Sequence, residues 1–349
     1  MPERRLPGER QCLQGARALW AGVWARIWAH IWARVSAPVS ARLSACASAC
    51  VLAGMLALAC LPARAAADTL RVGGAVVEVN LDADDFAVSR AQVLAWVKRS
   101  AQTVAGYYGR FPVPWLRIDV LPKPTDGIGF SMAFGDARRI DLGLGVRADV
   151  ATLDDDWVLV HEMLHMGHPD VPDHQRWFKE GLATYVEPVA RAQAGDLDAH
   201  AVWGGFVRKM PQGQPRRGDR GLDRTPTWGR TYWGGALFFL QADVRIRERT
   251  GNRKGLQDAL RAILDAGGTL DRNWSLERAL RVGDQAVGVP VLTALHRRMG
   301  TQAAPVDLAA LWRDLGVRAG RHGRIWLDDN APLAPIRRAI LAAPQGAPG

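Results

Sequence analysis

Apolar and polar positions alternate through "TLRVGGAVVEVNL" (69–81), the pattern of a β-hairpin turning at Gly73-Gly74. The period changes to that of an amphipathic helix over 86–109, "FAVSRAQVLAWVKRSAQTVAGYYG". "WLRIDVLP" reads as a strand, and "GIGFSMAFGDARRIDLGLG" as two more that turn at Gly135-Asp136. From Asp154 onward helical spacing dominates, with helices expected over 154–167, 174–191, 232–249, 255–266, 288–299, 306–315 and 332–342. The arginine- and glycine-rich stretch "PQGQPRRGDRGLDRTPTWGR" (211–230) reads as a loop, either a lid over a cleft or an ordinary solvated connection. No internal repeat is visible. Strands first and helices after predict an α+β fold, a small antiparallel sheet followed by helices.

The first 65 residues carry a different pattern. "ACASACVLAGMLALACL" (45–61) is an uncharged apolar run preceded by arginines. Small residues follow it, with a plausible cleavage point after Ala65 or Ala67. These three parts predict a signal peptide, with a retained membrane anchor or a lipoprotein leader using Cys60 as alternatives. The expected location is exported, periplasmic or secreted. Upstream, Trp20, Trp24, Trp28 and Trp32 recur every four residues beside arginines. They form either an interfacial membrane helix or a low-complexity leader with too early a start site. Membrane contact is expected only through this leader if it is retained. The expected division is then 1–65 leader, 66–190 sheet and active-site helices, and 191–349 a helical C-terminal subdomain.

Charge and cysteine content follow the same boundary. The formal net charge is +10, but residues 1–65 hold eight arginines against Glu3 and Glu9, so most of the excess lies there. A mildly basic remainder calls for no nucleic-acid partner. All four cysteines (Cys12, Cys46, Cys50, Cys60) also lie in the leader, so a mature chain would have neither disulfide nor thiol nucleophile.

The chemistry concentrates in "HEMLHMGHPDVPDHQRWFKEGLATYVE" (161–187). Positions i and i+4 of a helix share a face, so His161 and His165 can point ring nitrogens at one ion while Glu162 borders it. The acidic "TLDDD" before them suits a helix start. A hydrolytic zinc takes three protein ligands and leaves one position open. His168 stands at i+7, about 10 Å along the axis from His161 by helical rise. Pro169 stops the helix there, so His168 reads as an end-of-helix residue or a support for the ligands. "DHQRWFKEGLATYVEPVA" predicts a second helix, N-capped by Asp173, and the connection of about six residues would lay it back on the first. Glu180 is then the candidate third ligand, with a solvated helical glutamate as the alternative.

"HEMLH" followed by "WFKEGLATYVE" resembles the gluzincin metallopeptidases, in which a glutamate on the next helix is the third zinc ligand. "TYWGGALFFLQADVRIRERTGNRKGLQDALRAIL" (231–264) resembles the corresponding helix of the glycyl aminopeptidase branch, with Tyr232 and Gly235 on its Tyr-x-x-Gly. The resemblance covers roughly 128–265. It implies a zincin-like catalytic domain, Zn2+ held by His161, His165 and Glu180, Glu162 as general base, and Tyr232 donating to the oxyanion. It also implies that "GIGFSMAFG" is the edge strand beside which a peptide or protein substrate lies. One departure concerns specificity. Related aminopeptidases carry a glutamate on that strand to grip a free amine, whereas Ser131, Met132 and Ala133 stand here. Endopeptidase and aminopeptidase activity therefore both remain open. A non-catalytic zinc-binding protein of the cell envelope is the rival expectation.

Overall fold

The computed structural model describes residues 67–82, 85–320 and 324–343. The leader, its cleavage point, its tryptophan stripe and its cysteines lie outside the described residues. Among the described residues, no helix is long and apolar enough to cross a membrane.

β1 (Asp68–Val72) and β2 (Ala75–Asn80) form the expected antiparallel hairpin. Both turn residues, Gly73 and Gly74, have positive φ, which a glycine adopts without steric cost. α1 (Arg90–Tyr108) starts at a Ser89/Gln92 capping box and ends on Gly109 in the left-handed region. β3 (Trp115–Lys123), β4 (Met132–Phe134) and β5 (Arg139–Gly145) complete a sheet of order β1-β2-β3-β5-β4.

The expectation of an antiparallel sheet is corrected to a mixed one. β2 runs parallel to β3, and β3 parallel to β5. α1 supplies the long crossover that a parallel β2/β3 pair needs. The short β4 doubles back before β5, so β5 runs with β3 and β4 is left antiparallel on the edge. Val77, Val79, Leu116, Ile118, Ile140 and Leu142 are all buried on one face. The next positions along β3 and β5 carry the ion pairs Arg117–Asp119 and Arg139–Asp141 on the other. One covered face and one solvated face produce the period-2 pattern read from the sequence.

Helices then follow, with those over 199–209 and 276–287 outside the expected ranges. α2 (Val150–Asp154) and α3 (Val158–Leu164) precede α4 (Arg176–Gln193) and α5 (Ala199–Lys209). Next come α6 (Gly235–Arg249), α7 (Leu256–Asp265), α8 (Leu276–Val287), α9 (Val291–Met299) and α10 (Leu308–Leu315). A β6 (Val317–Ala319) and β7 (Ile325–Leu327) hairpin and α11 (Ala334–Leu341) close the described chain. One hydrophobic core runs from the sheet through α1, α3, α4 and α6. The point at which the sequence reading divides the chain, after residue 190, falls inside α4.

Loop 211–230 is held down along its length. Asp219 and Arg230 form a buried ion pair at 2.9 Å. Asp223 accepts from Trp177 Nε1–H at 2.7 Å and pairs with His296 Nε2 at 2.9 Å. Its amide donates to Gly300 O.

Candidate metal centre

The acidic start of the first histidine helix is Asp156, whose carboxylate accepts the amides of Val158 (2.8 Å) and Leu159 (3.0 Å). The helix begins at Val158 rather than at 154 because "VATLD" closes separately as α2, capped by Asp149. His161 and His165 lie one turn apart, both buried. The helix tightens to a 3-10 turn over His165–Gly167 and stops before Pro169.

The second helix returns alongside, and Asp173 opens a 3-10 turn (Asp173–Gln175) that leads into α4. Glu180 thereby faces both rings. Its Oε2 is 3.5 Å from His161 Nε2 and 3.7 Å from His165 Nε2. One ligand atom from each of the three residues lies within 4.8 Å of the others, so the group can hold a metal ion. Among the described residues it is the one such group of three.

The protonation states suit that task. Burial, and after it the neighbouring His161, pushes His165 well below the ordinary histidine value, so its ring is neutral. His168, fully buried, is pushed down to about 4, mainly by burial. Its Nδ1 lies 3.0 Å from Pro169 O, and a carbonyl only accepts, so that nitrogen carries the proton. Its Nε2 therefore accepts, at 3.0 Å, from His165 Nδ1–H. His165 Nε2 is left with a free lone pair facing Glu180. Burial alone would raise the Glu180 carboxyl, but His161, His165 and Arg176 outweigh it and hold it far below the ordinary range. Two imidazoles and one carboxylate are a donor set for zinc. His161 Nδ1 is buried without a hydrogen-bond partner.

Glu162 borders the three. Its carboxyl is raised, chiefly by burial, with His161 opposing and Glu180 adding; the Ala133 amide of β4 is its backbone partner. Tyr232 comes from a different part of the chain, a π-helical turn (Arg230–Gly234) at the head of α6. The helices meet there at two glycines. A Cβ on Gly181 would lie 2.3 Å from Gly235 Cα, and one on Gly235 would lie 2.3 Å from Trp177 O. That contact carries Tyr232 to Glu180. Burial, and then the Glu180 charge, raises the phenol, so it is a protonated donor.

The structure thus brings His161, Glu162, His165, Glu180 and Tyr232 to one place. It adds residues that the sequence reading did not single out. Arg176, one turn before Glu180, donates to Glu180 Oε1 from Nε (3.1 Å) and Nη2 (3.0 Å) and also reaches Tyr232. Glu187, two turns after Glu180, is buried with Arg191 at 3.1 Å and feels the His161 ring. Burial pushes its carboxyl up to about 7, with Arg191 opposing. The i−4 and i+7 spacings from Glu180 were the available signals, since both share its helix face.

No protein-family model matches the sequence, and no curated protein matches it. Solved structures do. An aminopeptidase N family protein from Idiomarina loihiensis superimposes with a TM-score of 0.54 at 13% identity, over 72% of this chain and 49% of that one. An M1 zinc metallopeptidase from Deinococcus radiodurans gives 0.45 at 15%, over 69% and 54%. The chain spans about half the length of these structures. The first likeness establishes the α+β, zincin-like fold.

Proposed function

We propose that this protein is a zinc-dependent peptidase that hydrolyses peptides or unfolded protein, with His161, His165 and Glu180 as the metal ligands. The observation that carries the reading is the convergence of three buried donor atoms beside Glu162 and Tyr232. A metal site that is only structural has no use for a base or a phenol at its rim. Bound there, zinc supplies Lewis acidity at the point where the scissile carbonyl would sit.

The chain's own groups perform the remaining steps. Glu162 takes a proton from the attacking water and passes it to the leaving amine, and its raised affinity for protons suits both transfers. Tyr232 donates a hydrogen bond to the oxygen that becomes negative, an interaction that grows toward the transition state. Arg176 neutralises Glu180 Oε1, which leaves Oε2 on the side of the histidines. The first 65 residues act as an export leader in this reading, which places the enzyme in the periplasm or outside the cell.

The test is the zinc content of the purified chain and of two variants. About one zinc per chain is expected. Glu162→Gln should keep the metal and lose peptide turnover by about 100-fold or more. Glu180→Ala should lose the metal. A zinc-free chain after reconstitution, or an active Glu162→Gln variant, would overturn the assignment.

A further inference from the structure

Large apolar side chains exposed to water are unevenly distributed on this protein. Seven stand out among the described residues, and two of them, both tryptophans, lie against rings of the candidate metal centre. Single exposed hydrophobics need no explanation, but a group around one site does. Trp157, at the entry to α3, is 53% exposed and its ring lies edge-on to His161, centroids 5.6 Å apart. Trp228, at the end of loop 211–230, is 60% exposed and lies 5.7 Å from the Tyr232 ring. The edge strand β4 meets Glu162 through its Ala133 amide. Two separate stretches of chain therefore place an exposed tryptophan beside the site.

The charges at the same place bear on which substrate end the site can hold. β4 carries no carboxylate, and the two acids at the centre, Glu162 and Glu180, already have tasks there. The rim carries a cation instead. Arg176 keeps 60% of its side chain exposed while it bonds Glu180. A free α-ammonium lying along β4 would find no carboxylate on that strand to pair with. A neutral stretch of peptide chain needs no such partner, and β4 stands at the edge of the sheet beside Glu162, where an extended chain can lie.

We infer that the cleft takes internal, extended peptide segments with large apolar side chains on both sides of the scissile bond. The enzyme is then an endopeptidase for exposed apolar stretches of unfolded protein rather than an enzyme that trims chain ends. Trp157 flanks the His161 side of the site, and Trp228 flanks the Tyr232 side. This inference rests on the peptidase reading for its catalytic half, but the binding half can be measured without turnover.

The probes are N-acetylated, C-amidated dodecapeptides identical except for a central Phe-Leu, Ser-Asn or Glu-Asp pair. They are offered to the zinc-loaded full chain for cleavage, and to its Glu162→Gln variant for binding by fluorescence anisotropy. The Phe-Leu peptide should be favoured about tenfold or more in kcat/KM and in Kd. Trp157→Ala and Trp228→Ala should keep their zinc and each lower that preference about threefold or more. Equal or reversed preference in both assays would overturn the inference, and so would cleavage confined to peptides with a free amino terminus. Selective binding with no cleavage by the zinc-loaded wild type would retire the peptidase reading and leave the apolar cleft standing.

Discussion

His168 does not reach Glu180, yet it decides how His165 presents itself. Its proton is fixed by the Pro169 carbonyl, which makes its other nitrogen an acceptor and holds His165 in one tautomer. An imidazole oriented in this way binds a metal more tightly than a free one, and losing such a partner typically costs about 10–100-fold in affinity. His168→Leu is therefore expected to weaken zinc binding by about that factor in a chelator competition. An affinity within about twofold of the wild type would remove His168 from the support of the site. The histidine pair and Glu162 were legible from spacing alone because a helix converts i and i+4 into a shared face. For His168 the sequence left two readings, an end-of-helix residue or a support for the ligands, because the choice depends on where the helix breaks and how the ring turns afterwards.

At the scale of elements, the site depends on one helix crossing. α4 and α6 approach at Gly181 and Gly235 with no room for a methyl group on either. The contact lies directly after Glu180 in one helix and just after the Tyr232 turn in the other. Gly235→Ala would push Cβ into Trp177 O, and overpacking of this kind typically costs about 1–3 kcal/mol. A lower Tm together with a fall in kcat, at unchanged zinc content, is expected. A fully stable and active variant would show that the close approach is dispensable. The π-helical turn is a local departure that this packing supports, and such turns recur at functional sites. Sequence periodicity located α4 and α6 to within a few residues, apart from the π turn at 230–234. It could not tell whether loop 211–230 was a lid. The loop's buried anchors, Asp219–Arg230 and Asp223 with Trp177 and His296, are partners from distant parts of the chain.

Across the whole molecule, the Asp223 contacts join that loop to α4 and to α9. Burial alone would raise the Asp223 carboxyl, but the hydrogen bonds from His296 and Trp177 outweigh it and hold it below its ordinary 3.8. A carboxyl lowered in the folded state stabilises the fold above its unfolded value and loses that contribution as pH falls through the folded one. Cooling of Tm on acidification below 3.8 is therefore expected to include an Asp223 component. Asp223→Asn should be less stable at neutral pH and show a shallower acid decline. Parallel melting curves for the two proteins in that window would assign the acid response elsewhere.

The sequence by itself determined many of the local features: the first hairpin and most of the helices, which face of each is apolar, and that two histidines and a glutamate share one helical turn. These follow from periods of two and 3.6 residues, which are properties of neighbours along the chain. The tertiary structure alone decided the direction of strand pairing, because the parallel β2/β3 pair depends on the path of α1. It also decided that Arg176 bridges Glu180 and Tyr232, and that Trp157, Trp228 and β4 meet the residues of one site. Those residues meet only after separate elements pack on a common core, and no local period encodes which elements will do so.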